Sequence, residues 1–197
     1  MFGAKTGGGG PEGSARERIL LAAEELFAES GFEATPTSRV AERAGVPKGL
    51  VHYYFRRKPD LLVALIERLP DEPVDAARVA VPGDVAASLR ALVAQFDAGL
   101  GASPSLSHLL WREADTHHAV RDAMLDRYQR IVAQIKAVIV AARGDAGVDD
   151  VDVDSAAELL ALAVSYRHSV ARHTGGEATL IDREVAFLAQ ALTRSNP

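Results

Sequence analysis

Apolar residues recur at helical spacing along almost the whole of this chain, and that spacing constrains the fold more than any other feature. Ile19, Ala22, Ala23, Leu26 and Phe27 set the pattern at i, i+3, i+4, i+7 and i+8, which lines one face of a helix but not one face of a strand. Ser14 and Glu17 stand at capping-box spacing before this stripe, and Gly31 is a natural stop after it. A second, short helix is predicted to open with Thr35 as N-cap and Pro36 at the first helical position, and to run to Ala44. A third covers about 48–55. A fourth begins near Pro59 and buries Leu61, Leu62, Leu65, Ile66 and Leu69. Beyond a proline-containing connection over 70–83, amphipathic segments run at about 84–100, 104–114, 117–143, 154–173 and 180–194. Gly99/Gly101, Ser103-Pro104, Gly144/Gly147 and Gly175-Gly176 mark the breaks between them. No alternating strand segment and no repeat interrupts the series. The chain is predicted to be all-α, with about nine helices.

Composition narrows the function. No apolar run approaches the ~20 residues that a membrane span needs, so no membrane partner is expected. The opening MFGAKTGGGGPEGS has no hydrophobic export core, and its first thirteen residues have nothing to bury, so 1–13 is expected to be a disordered tail. With no cysteine there is no disulfide, thiolate zinc site or cysteine nucleophile, and a cytoplasmic protein is expected. Net charge is −5, but residues 35–58 hold six cations (Arg39, Arg43, Lys48, Arg56, Arg57 and Lys58) against Glu42 alone. An acidic chain with one basic patch points to a local site for a polyanion.

Five of those cations lie in "AERAGVPKGLVHYYFRRK", residues 41–58, and residues 37–54 fit a helix-turn-helix. Val40 and Val51 face the core, Ala41 lets two helices approach, Gly45 supplies the left-handed turn residue and Val46 plugs the corner. At 100° per residue, an inward Val51 puts Phe55 on the same side and Gly49 and Tyr53 opposite. Leu50 and His52 flank that outer ridge. In a DNA major groove Gly49 lets the backbone come close, Tyr53 and Leu50 can touch thymine methyls, and His52 and Lys48 can reach bases or phosphates. Lys58 and Tyr54 are placed to clamp the backbone. Thr35 and Thr37 would do so at the start of the second helix, whose N–H groups favour anions. A pure protein-interaction scaffold would leave this ridge without a purpose.

Residues 16–66, "RERILLAAEELFAESGFEATPTSRVAERAGVPKGLVHYYFRRKPDLLVALI", resemble the DNA-binding domain of TetR-family transcriptional regulators. The resemblance rests on Ala-Ala-x-x-Leu-Phe in the first helix, the Gly-Phe stop and the Thr-rich start of the second helix. Ala-Gly-Val before the recognition helix, its Tyr-x-Phe ending, and Lys58 and Leu61 complete it. It departs from the usual pattern at His52 (commonly tyrosine), Tyr54 (commonly histidine) and Pro47 (often serine), exchanges expected to alter the preferred operator. The resemblance implies DNA contacts from Thr37, Lys48, Gly49, His52, Tyr53, Tyr54 and Lys58, with Ser38 and Leu50 beside them. It divides the chain into a DNA-binding domain at 14–58 and an effector-binding and dimerisation domain at 59–197. The implied activity is a ligand-released repressor that binds a palindromic operator as a homodimer.

The C-terminal helices supply material for both implied roles. Leu159, Ala163, Arg167 and Val170 lie on a broad stripe of one helix, and Val185, Leu188 and Leu192 on a stripe of the last. Two such helices from each chain would make the four-helix interface that the resemblance implies. Phe96, His108, Trp111, Tyr128, Tyr166 and His168 are polar or aromatic insertions in apolar helices, the candidates for a pocket around an uncharged or cationic, partly apolar effector. Glu113 and His117 have the i, i+4 spacing of helical metal ligands, but an HExxH pattern with a third ligand is absent, and no metal is expected. No Gly-rich phosphate loop or nucleophile elbow appears, so neither cofactor nor enzymatic activity is expected.

Overall fold

The computed structural model describes residues 14–69, 74–100, 104–144, 150–174 and 181–193. Within these, the side chains of 98–100, 104–108, 150–151 and 167–174 are not described. The expected tail at 1–13 lies outside the described residues. Ten helices lie among the described residues: α1 (Ala15–Ser30), α2 (Thr37–Arg43), α3 (Lys48–Tyr54), α4 (Lys58–Arg68), α5 (Ala76–Val79), α6 (Val85–Leu100), α7 (Pro104–Ala114), α8 (His118–Arg143), α9 (Asp150–Thr174) and α10 (Asp182–Thr193). The one-turn α5 was not predicted. The chain divides into two compact units, the break falling between Glu67 and Arg68.

In the first unit α1 starts where Ser14 accepts a hydrogen bond from the Glu17 N–H (3.3 Å) and ends where Gly31, at φ 82°, donates to the Phe27 carbonyl. The predicted stripe is the buried one: Ile19, Ala22, Ala23, Leu26 and Phe27 face inward together with Leu20. The start of α2 corrects the expectation by one residue. Pro36 is the N-cap, its carbonyl accepting from Arg39 and Val40, and Thr35 lies wholly inside. The Thr35 hydroxyl donates to the Gly31 carbonyl at 2.8 Å, with the Leu26 carbonyl 3.3 Å away. It completes the end of α1 instead of opening α2.

The turn after α2 closes by a Schellman pattern. The Val46 N–H bonds to the Ala41 carbonyl and the Gly45 N–H to the Glu42 carbonyl. Gly45 has φ 63°, and a Cβ there would meet nothing within 4 Å, so backbone conformation rather than space demands glycine. α3 then packs Val51 and, just past its end, Phe55 into the core. Burying each such side chain contributes roughly 1.5–3 kcal/mol.

The second unit is built around α8, which packs against α6, α7 and α9, while α10 closes against α6 and α9. Its core takes Leu89 and Leu92 from α6, Ile131, Ile135, Val138 and Ile139 from α8, Ala157, Leu160 and Val164 from α9, and Val185, Leu188 and Leu192 from α10. The Gly83 N–H donates to the Ala142 carbonyl at 2.7 Å, tying the entry to α6 to the end of α8. No helix among the described residues is long and apolar enough to cross a membrane.

Candidate nucleic-acid interface

α3 is seven residues long, and it buries one of them, Val51. Everything else on the helix except the half-buried Leu50 is exposed: Lys48, Gly49, His52, Tyr53 and Tyr54. Tyr53 is 78% exposed, an unusual position for so large a ring. It lies edge-on to Tyr54, with ring centroids 5.2 Å apart, and Tyr54 is followed by the buried Phe55. Arg16 of α1 stacks over Phe55 at 5.6 Å, which fixes the end of the helix from inside the unit. No atom stands within 4 Å of the place a Cβ would take on Gly49, so the backbone there is open to close approach. Thr37, half-buried, and Ser38, exposed, lie on the first turn of α2. The Thr37 Oγ1 is 3.5 Å from the His52 Nε2.

The six cations of this segment do not act alike. Arg43 reaches back to α1, 2.9 Å from Glu25 and 3.4 Å from Glu29, and hydrogen bonding to Glu25 and then Glu29 raises its pKa. Arg39 donates to the Ser30 hydroxyl at 3.1 Å, and Arg57 pairs with Asp60 at 3.2 Å. Lys58 is held too, 3.3 Å from the Glu33 carbonyl and 4.2 Å from the centroid of the Phe32 ring. Lys48 and Arg56 are exposed, with no ion pair among the described residues. The charge turned outward is therefore smaller than the sequence count, and Arg43 joins α2 to α1. Of the expected DNA contacts, Thr35 is removed by its burial, since a hydroxyl enclosed at 0% exposure cannot meet a phosphate.

Candidate residues of the second unit separate into three groups. Tyr166 is 67% exposed and Trp111 also lies at the surface, so neither is walled into a cavity as expected. Phe96 and Tyr128 are half-buried against the core. The Tyr128 hydroxyl donates to the Glu158 carbonyl at 3.3 Å, and burial followed by the Glu158 charge raises its pKa. The side chains of His108, Arg167, His168 and Val170 lie outside those described. Glu113 is buried, and its Oε1 accepts two hydrogen bonds from the Arg112 guanidinium. His117 Nε2 is 4.0 Å from the other carboxylate oxygen.

The expected interface stripe on α10 is corrected by burial. Val185 and Leu192 are 1% and 2% exposed within their own chain, and Leu188 is buried beside them. They close the unit's core. The outward apolar face consists instead of Leu159, Leu162 and Tyr166 on α9 and Phe187 on α10, with Phe187 70% exposed. A groove of about 390 Å³ runs along it, lined by Leu159, Leu160, Ala163, Phe187 and Leu188 together with Arg183 and Glu184. Sequence reading missed Leu162 and Phe187. The available signal was an apolar residue on the otherwise polar side of each helix.

A helix-turn-helix that turns glycine, rings and cations outward from its second helix defines a class, the helix-turn-helix DNA-binding regulators. Residues 19–65 match the family described as bacterial regulatory proteins, tetR family. The match spans α1 to α4 and assigns that stretch, rather than the whole chain, to the DNA-binding domain of this family. It is 34% identical over 71 residues to the HTH-type transcriptional activator FasR of Mycolicibacterium smegmatis, a stretch covering 36% of this chain and 32% of that one. It is also 34% identical over 86 residues to the HTH-type transcriptional repressor BepR of Brucella suis, covering 42% and 41%. The chain thus spans about a third of the length of the curated relatives it matches. Over nearly the whole length, it is similar in fold to a TetR transcription regulator from Haloarcula marismortui, with a TM-score of 0.72 at 23% identity, covering 92% of this chain and 99% of that one.

Proposed function

We propose that this protein regulates transcription as a homodimer that binds an inverted-repeat duplex through α3 and leaves it when a small molecule binds the second unit. The observation that carries the reading is Tyr53, exposed beside Gly49 and His52 while Val51 and Phe55 anchor the same helix from behind. An exposed ring in a cationic neighbourhood is poorly placed in water and well placed against base edges. Self-association is supported by the exposed apolar residues Leu159, Leu162 and Tyr166 of α9 and Phe187 of α10, the kind of surface that marks a protein interface. A two-fold pair of reading heads then calls for half-sites ~34–36 Å apart or a multiple of that. FasR is named an activator and BepR a repressor. Repression is the proposal here because it needs only occupancy of a duplex that another protein must use.

An effector can alter DNA binding only if it favours one state of the protein over another. α4 links the reading helix in sequence to the second unit and is the proposed lever. Phe96 and Tyr128, half-buried, are the proposed wall of an effector pocket for an uncharged or cationic, partly apolar molecule. The test is selection of a duplex by the full-length chain from a random pool, then anisotropy titration over a salt series. Enrichment of an inverted repeat with steeply salt-dependent affinity supports the reading. No enriched sequence, or affinity indifferent to salt, overturns it. Thermal-shift hits from a metabolite screen should release the duplex; hits that stabilise without release remove the switch.

A further inference from the structure

The contact between Thr37 and His52 joins the first residue of α2 to the outer ridge of α3, and it has a consequence for the donor arithmetic of both groups. A hydroxyl carries a single hydrogen. When the His52 Nε2 is unprotonated, it takes that hydrogen as an acceptor and Thr37 has none left to donate. When Nε2 carries a proton, the ring donates to Thr37 Oγ1 and the hydroxyl hydrogen is released to point elsewhere. At 3.5 Å the contact is at the long end of hydrogen bonding, loose enough for either arrangement.

Resting on the DNA-binding reading, we propose that Thr37 and His52 engage the duplex as one unit, with His52 a positioning residue that turns the Thr37 hydroxyl toward a DNA phosphate. Protonation of the ring allows only the arrangement in which Thr37 is free to donate, and it adds a positive charge to the ridge. Duplex affinity therefore rises when the ring is protonated. The neighbouring charges are Lys48, one helical turn before His52 on α3, and Arg39, Glu42 and Arg43 on α2. On α1, Arg18 donates to the Ala44 carbonyl, and Glu25 and Glu29 hold Arg43. His52 is the single histidine among residues 1–67, so a pH effect seated in this unit is assigned by its replacement.

The experiment uses the full-length chain and a duplex that it has itself selected from a random pool, titrated at about pH 8 and about pH 6 at fixed salt. The wild type should bind about three- to tenfold more tightly at the lower pH, the net size of one hydrogen bond. His52→Gln should remove the pH difference and Thr37→Ala most of it, the double variant should bind no more weakly than the weaker single one, and Thr37→Ser should restore the wild-type profile. Thr37 and His52 make no cap, and circular dichroism checks that each variant keeps its helices. If Thr37→Ala keeps the full pH difference, or the two losses add, His52 acts on the duplex directly and the pair is wrong. A selected duplex bound without pH dependence overturns the pair alone. Failure to select any duplex overturns the DNA-binding reading and the pair with it.

Discussion

Two outward faces of this protein carry aromatic rings, and their surroundings differ. On α3, Tyr53 and Tyr54 share the surface with His52 and Lys48, and no aliphatic chain there is fully exposed. On α9 and α10, Tyr166 and Phe187 share theirs with Leu159 and Leu162, which are more than half exposed. Rings among cations suit a partner that is polyanionic with stacked, methyl-bearing edges. Rings among leucines suit a partner that is itself apolar. In the proposed reading both faces are interfaces, and the company each ring keeps distinguishes their partners.

A charge on the inward side of α10 should have the largest effect. Val185→Asp should unfold the second unit, with a loss on the order of 3–5 kcal/mol in urea denaturation, because it buries an unpaired carboxylate in the core. Melting like the wild type would put Val185 in the interface after all. Phe187→Ser, on the outward side of the same helix, should leave the fold intact while sedimentation velocity shows a monomer. Duplex affinity should then drop by about 100-fold as the second reading head is lost.

Tyr53→Ala sharpens the contrast from the other face. It should leave the melting temperature and the dimer unchanged and lower the preference for selected over random duplex by about tenfold. A large fall in melting temperature would make Tyr53 a fold residue. Smaller still, Lys48→Ala should flatten the dependence of log affinity on log salt by about 0.9 for each chain that contacts a phosphate. Thr35→Val should leave duplex binding untouched and cost about 1–2 kcal/mol of stability, since it strips a buried donor from two carbonyls.

The first unit was the more legible because its helices are short and one-sided. On seven-residue α3, fixing Val51 inward leaves almost no freedom in assigning the rest. Misplacing Thr35 came from two threonines flanking Pro36. Either could open the helix, and only the carbonyls at the end of α1 decide which hydroxyl turns in. In the second unit the helices are apolar on more than one side. A stripe such as Val185, Leu188 and Leu192 has the same period whether it meets its own core or a second chain, so sequence cannot assign its partner. Phe187, lying off that stripe, was the distinguishing residue. α5 was hidden for another reason: one turn capped by Asp75 leaves no period to detect.

Stoichiometry on the selected duplex tests the division of labour between these faces most directly. Sedimentation of labelled duplex with wild type, Tyr53→Ala and Phe187→Ser reads binding and assembly in the same cell. An even number of wild-type chains should sit on each inverted repeat, with a dimeric Tyr53→Ala chain that no longer prefers it and a monomeric Phe187→Ser chain that holds it weakly. A wild-type monomer occupying the duplex one chain at a time, with an affinity that Phe187→Ser does not change, would contradict that division of labour.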